Sequence, residues 1–272
     1  MNAFLIWLAV ALAPPAAAAP PPQMSETEAV AVRQAEERGA MMYAYDQAAW
    51  HGTDDLMAKL PDFASRVGGW VVDGPAEAPE LVFYDRDRTD PHAIYVADFR
   101  NNRLVSSKVL GATDDRTLSP HRKAMIAARE AGIAALAASD AKRCVDKPFN
   151  TVVLPPEQPG GPTLVYLLTP QTRMDAIPFG GHYRIEVSAD GKAAAPRHFT
   201  NSCLEMPRDP PQKGKPGVIF VTHLLDPVPT EIHVFSSLAA HVPVAVGTVS
   251  NKHLWIVDGA HIELMSADLT KQ

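Results

Sequence analysis

The chain has 272 residues, 46% of them apolar, with 31 acidic against 25 basic side chains and a formal charge of −6. That length supports one large domain or two small ones around a substantial core. The mild acidity and scattered Lys and Arg exclude the basic stripe needed to neutralise nucleic-acid phosphates or an anionic membrane surface, so no nucleic acid is expected as a partner.

An unbroken apolar run from Ala3 to Ala13, followed by Pro14-Pro15 and four alanines, reads as a secretory signal peptide. About eleven apolar residues are too few for a hydrocarbon layer that needs roughly 20, and the proline pair would end a helix there. Cleavage is expected after Ala18: Ala16-Ala17-Ala18 fits the small-x-small rule, whereas a cut one residue later would put Pro20 next to the scissile bond. Met1-Asn2 lacks the usual basic side chain, which leaves retention as an uncleaved tether open; after cleavage no stable membrane anchor is expected. The Ala-, Pro- and Arg-rich usage is that of a high-GC bacterial chain, and the expected location is periplasmic or secreted.

Residues 1–18 are thus the signal peptide and 19–24 a Pro-rich leader. Ser25-Glu26-Thr27-Glu28 is a capping-box signature that starts a helix with Ala31, Ala35, Gly39, Met42, Tyr45 and Ala49 on its inner face. Gly52 and Thr53-Asp54-Asp55 predict a break and a shorter second helix ending before Pro61. Strands are expected at 70–72, 81–84, 93–99 and 103–109, with Asn101-Asn102 turning the last hairpin. Ser119 and Pro120 open another helix carrying Met125, Ile126, Ile133 and Leu136 on one side.

Beyond it the chain is strand-rich, with strands expected near 151–154, 164–168, 183–187, 196–200, 218–222, 231–235, 253–257 and 261–264, and hairpin turns at Asp190-Gly191 and Asp258-Gly259. Three of these strands open alike, at Pro79-Glu80-Leu81, Pro162-Thr163-Leu164 and Pro229-Thr230-Glu231, the latter two at an offset of about 67 residues, which suggests an internal repeat. The predicted fold class is α+β: tandem helix-plus-antiparallel-meander units at 25–112 and 113–206, a Pro-rich linker at 207–216, and a C-terminal β unit at 217–272 packed on the second. The apolar run Leu254-Trp255-Ile256-Val257 predicts a C-terminal sheet covered on both faces.

Cys144 and Cys203 are the only two cysteines, and in an oxidising compartment they are expected to form a disulfide. A loop of that length is worth roughly 4 kcal/mol in the chain-entropy account, and so wide a spacing points to a staple with no redox role.

Among ten histidines the best chemical constellation is His223, Asp226 and His233, a set able to ligate zinc. His253 and His261 are expected on opposite faces of their hairpin, because their register positions differ in parity. His182, Arg184 and Glu186 alternate with apolar residues and read as a solvated strand face. Asp85, Asp87 and Asp90 have calcium-like spacing, but the interleaved Arg86 and Arg88 favour ion pairing. Met41, Met42, Tyr45 and Trp50 are a candidate apolar binding groove or, at helical spacing, core. No nucleophile elbow, phosphate loop or dinucleotide fingerprint occurs. The reading is an exported, non-enzymatic binding or interaction protein without a cofactor, whose partner is a periplasmic protein or envelope component. Two alternatives stand open: a zinc-dependent hydrolase using His223, Asp226 and His233, and a small-ligand carrier.

Overall fold

The structure is a computed structural model and describes residues 23–207 and 217–265. The signal segment and almost all of the Pro-rich linker lie outside the described residues.

Helix α1 (Glu26–Lys59) opens on the expected capping box, with Glu28 N donating to Ser25 Oγ at 3.2 Å and Ser25 N to Glu28 Oε2 at 2.8 Å. It is a single helix of 34 residues rather than two. Gly52 does not break it because its missing side chain serves packing: a β-carbon there would overlap Leu81 Cδ2, so the helix backbone lies directly on the first sheet. Thr53 Oγ1 donates back to Ala49 O at 2.6 Å instead of capping a new helix.

After the single turn α2 (Phe63–Arg66), strands β1 (Val67–Asp73), β2 (Glu80–Asp85), β3 (Ala93–Arg100) and β4 (Arg103–Val109) form an antiparallel meander in chain order. Asn101 and Asn102 turn its last hairpin with φ of 49° and 61°, the left-handed values that such a turn demands. Helix α3 (Pro120–Ala137), capped by Ser119, leads into β5 (Asn150–Leu154), β6 (Thr163–Leu168), β7 (Ala176–Pro178), β8 (Tyr183–Val187), β9 (Arg197–His198) and β10 (Glu205–Pro207). The second meander runs β5-β6-β8-β9, while β7 and β10 pair as a separate ribbon. Around Asp190, Ser188 N donates to Lys192 O at 3.0 Å and Gly191 sits at φ +81°, so residues 189–191 form the loop rather than Asp190-Gly191 alone.

These are tandem helix-plus-meander units of an α+β fold, followed by a strand-rich C-terminal unit. That last unit departs from expectation. It runs β11 (Ile219–His223), α4 (Glu231–Ala240), β12 (Val244–Thr248), β13 (His253–Asp258) and β14 (His261–Leu264), in the order β11-β12-β13-β14, with β11 parallel to β12. The segment 231–235 is therefore helix, not strand, and the third of the echoed segments folds unlike the other two. A short apolar run has no period that separates strand from buried helix. Here a capping box decides: Thr230 N donates to His233 Nδ1 at 3.0 Å, the imidazole taking the place of the usual Glu. The turn between β13 and β14 is Gly259-Ala260, with Asp258 opposite His261, and parity still sets His253 and His261 on opposite faces.

Helix α1 passes through all three units. Met42, Tyr45 and Leu56 pack beneath the first two sheets, and Val32 and Ala35 join the C-terminal core around Trp255. In β6, Leu164, Tyr166 and Leu168 face α1 while Val165 and Leu167 face α3, so the second sheet is covered on both sides. The C-terminal unit rests on α1 and on Ile177 and Phe179 around β7. Its sheet is covered on the inner face by Trp255, Val257 and their neighbours, whereas Phe220 on the outer face is 57% exposed. Among the described residues the predicted two-sided cover is absent, because α4, the crossover helix, lies on the inner side with α1.

Candidate functional site

His223, at the end of β11, and Asp226, on the following loop, meet as predicted: His223 Nε2 lies 3.0 Å from Asp226 Oδ2. His233, in the first turn of α4, stands edge-on to His223 with ring centroids 4.8 Å apart. Arg197 of β9 completes the cluster, donating from Nη2 to Asp226 Oδ1 at 2.8 Å. Burial pushes the Asp226 carboxyl up, but the hydrogen bond from His223 and the Arg197 charge outweigh it and hold the group below its ordinary value. Burial, reinforced by the neighbouring His223 charge, drives His233 down to about 3.

In this geometry one nitrogen of each imidazole and both Asp226 oxygens are already engaged. His223 and Asp226 bond each other, Asp226 also holds Arg197, and His233 Nδ1 accepts from the α4 cap. Among the described residues no group of three or more His, Cys, Asp or Glu side chains is arranged to hold a metal ion. A cavity of about 20 Å³ beside His223 and His233, lined also by Phe179, Phe199 and Leu204, has room for about one water. A second, of about 10 Å³, lies between β1 and β5. Neither approaches the several hundred Å³ typical of a small-ligand site.

The strand read as a solvated polar face is mostly buried. His182 accepts from Thr169 N on Nδ1 at 3.1 Å and its Nε2 lies 3.0 Å from Pro178 O; burial lowers it to about 4. Arg184 is buried against Glu231 of α4, and only Glu186 reaches solvent. The acidic loop forms ion pairs, but with residues far along the chain: Asp85 with Arg116 at 2.9 Å and Asp90 with Lys123 at 2.6 Å, rather than with Arg86 and Arg88. The candidate groove separates into different environments. Met42 and Tyr45 are core, Met41 is half-buried, and Trp50 is 58% exposed and stacked on His51. Cys144 and Cys203 form the predicted disulfide, with Cα atoms 5.3 Å apart.

The C-terminal sheet presents a feature that no sequence motif marks. From Gly217 to Leu225 the chain has no carboxylate, ammonium or guanidinium. Val218, just before β11, and Phe220 within it are exposed, Leu224 (59% exposed) and Leu225 lie on the loop beyond it, and Val249 (50% exposed) follows β12. Val249 N donates to His223 O at 3.1 Å, which sets the loop and the turn side by side. Asn251 clamps this end: its Nδ2 donates to Pro227 O at 2.7 Å and to Glu28 Oε1, in the first turn of α1, at 2.9 Å. With His223, Asp226 and Arg197 holding the other side of the loop, the apolar side chains stand on a pinned frame. The sequence signal was the uncharged run itself; its exposure depends on the side from which α4 covers the sheet.

No family model, curated protein or solved structure matches the chain.

Among the described residues no helix is long and apolar enough to cross a membrane.

Proposed function

We propose that this chain is an exported, non-enzymatic binding protein of the periplasm or cell exterior, engaging a protein partner or envelope component through the apolar end of its C-terminal sheet. The observation that carries the reading is the pinned display of Leu224, Leu225 and Val249 in solvent. Contiguous exposed apolar side chains cost solubility, and on a rigid frame they mark an interaction site. The His223–Asp226–Arg197 cluster then serves as scaffold for that loop rather than as a reaction centre. The disulfide and the leader sequence support export.

A photo-crosslinking residue placed at Leu225 in the producing cells tests this. A discrete adduct is expected with one protein or envelope component, lost in the Leu224→Asp/Val249→Asp variant. The mature N-terminus is expected at Ala19 by intact mass. Absence of any adduct from a correctly folded and exported chain would reject the binding reading.

A further inference from the structure

Edge strands that remain free in stable proteins are usually guarded by charge, proline, bulges or brevity. Here β4 carries Arg103 and Lys108, and its pairing with β3 is irregular between Asp98 and Phe99. Strand β9 is two residues long, and β14 bears His261 and Glu263. The edges of β1 and β5 face each other across a small cavity. Strand β11, Ile219-Phe220-Val221-Thr222-His223, has none of these guards.

Its free edge can be specified atom by atom. Ile219 N donates to Pro243 O at 3.0 Å and His223 O accepts from Val249 N at 3.1 Å. In a parallel ladder one strand bonds its neighbour through alternate residues, so Ile219, Val221 and His223 face β12. The N–H and C=O groups of Phe220 and Thr222 therefore face away from the sheet, and among the described residues they have no hydrogen-bond partner.

We propose that this edge pairs with the same edge of a second copy, giving a two-fold symmetric dimer through an antiparallel β11–β11 ladder. The pattern is self-complementary. With the axis at Val221, Phe220 of one copy stands opposite Thr222 of the other, and each such pair exchanges both main-chain bonds, about four hydrogen bonds in all. Electrostatics favours the same occupant. A chain of net charge −6 resists self-association in general, but residues 217–225 contain no Asp, Glu, Lys or Arg, so two copies meet there without like-charge contact or the need to desolvate an ion. Phe220 lies over Gly247, its Cζ 3.6 Å from where a β-carbon would be, and its exposed ring would stand beside Thr222 of the second copy on the same face of the joined sheet. The proposal rests on the reading of this unit as a binding surface, but uses its edge rather than the Leu224, Leu225 and Val249 end.

The test is the mass of the exported, full-length product in solution, by light scattering and sedimentation equilibrium from about 1 to 200 µM. The wild type is expected to approach twice the monomer mass as concentration rises. Thr222→Pro removes an outward N–H without touching a β12 bond, and Thr222→Lys brings two ammonium groups together near the axis. Both are expected to stay monomeric with wild-type circular dichroism, raising the dissociation constant at least tenfold; if one misfolds, the other decides. A wild type that stays monomeric at 200 µM overturns the proposal, as does a dimer that a folded variant retains. The Leu225 adduct measured on the same variants separates the two readings: a monomeric variant that still forms it leaves the binding function standing, whereas loss of the adduct with the dimer intact rejects only that function.

Discussion

Arg184 donates from Nη1 to Glu231 Oε1 at 2.7 Å with 8% and 6% of their side chains exposed, joining β8 of the second unit to the first turn of α4 in the third. Tyr166 OH donates to the same oxygen at 2.9 Å, and Arg184 Nη2 reaches Glu186 at 2.8 Å. Glu231 also lies where the N-terminal end of a helix favours negative charge.

Removing one member of such a pair leaves a buried charge without compensation. Glu231→Gln is expected to lower stability by about 3–5 kcal/mol, whereas the apolar double replacement Arg184→Met/Glu231→Leu is expected to recover most of that loss. Urea denaturation of the three proteins checks it. If the single variant costs no more than the double, the pair is not what joins the two units.

This ion pair also shows where the sequence stops being informative. The features that could be read in advance are local: Ser25 with Glu28, Ser119 with Pro120, and Asn101-Asn102 each specify a backbone conformation through near neighbours. The disulfide was legible because the chain has only two cysteines to pair. Arg184 lies on the polar side of an alternating strand, and whether that side meets water depends on α4, whose Glu231 comes 47 residues later. The same non-local cause hid Phe220, exposed because no helix among the described residues crosses the outer face of its sheet. For the candidate site, His223, Asp226 and His233 stood out by their nearness in the chain, but His233 was expected on a strand and reaches His223 from the first turn of α4. Arg197 and Asn251 did not stand out, since nothing in their own segments marks them as partners.

At Gly39 the backbone of α1 lies directly against α4. A β-carbon there would overlap Val234 Cβ and Cγ1 and come within 2.9 Å of Glu231 O. Gly39→Ala should therefore destabilise by about 1–3 kcal/mol, although alanine is the better helix former by about 1 kcal/mol. Gly111→Ala, where the added atom meets nothing closer than 3.7 Å, should stay within about 0.5 kcal/mol of wild type. Thermal denaturation of both distinguishes close packing from mere loss of flexibility; a stabilised Gly39→Ala would refute the contact.

His182 and His233 give stability a definite acid dependence. Burial holds them neutral in the folded chain, with values near 4 and 3, while in the unfolded chain each takes a proton near pH 6.5. Over that window the unfolded state binds more protons, so stability is fully present above about pH 6.5 and falls as pH drops toward 4, by on the order of 1 kcal/mol per pH unit for each histidine. Denaturation midpoints at pH 7, 6 and 5 should decline steeply, and His182→Gln should flatten the slope. An unchanged slope in that variant would show that its imidazole is not held neutral.

Asp46, half-buried on α1, acts in the opposite direction. Burial raises its carboxyl to about 6, above its ordinary 3.8, so the folded state prefers the protonated form and loses stability as pH rises through about 6. Asp46→Asn should raise the thermal midpoint by a few degrees, roughly 2–6 °C, at pH 8, by about half as much at pH 5 and by almost nothing below about pH 4. Equal effects at these pH values would mean that the carboxylate is solvated and the substitution acts through packing alone.

The disulfide constrains a particular piece of the fold. Cys144 follows α3 and Cys203 follows β9, and next to Cys203 the carbonyl of Leu204 accepts from Phe179 N at 2.8 Å and Gly180 N at 2.9 Å, closing the β7–β10 ribbon. That ribbon packs Ile177, Phe179 and Leu204 against the core around Trp255, so the staple secures the support beneath the C-terminal sheet as well as the second unit. Cys144→Ser/Cys203→Ser should cost roughly 4 kcal/mol through the freed loop of 59 residues. Hydrogen exchange should rise first at Phe179, Gly180 and Leu204 and then along β11, before the β1–β4 meander responds. Uniform acceleration over the whole chain would instead place the bond's effect in the unfolded state alone, with no local role in holding the ribbon against the third unit.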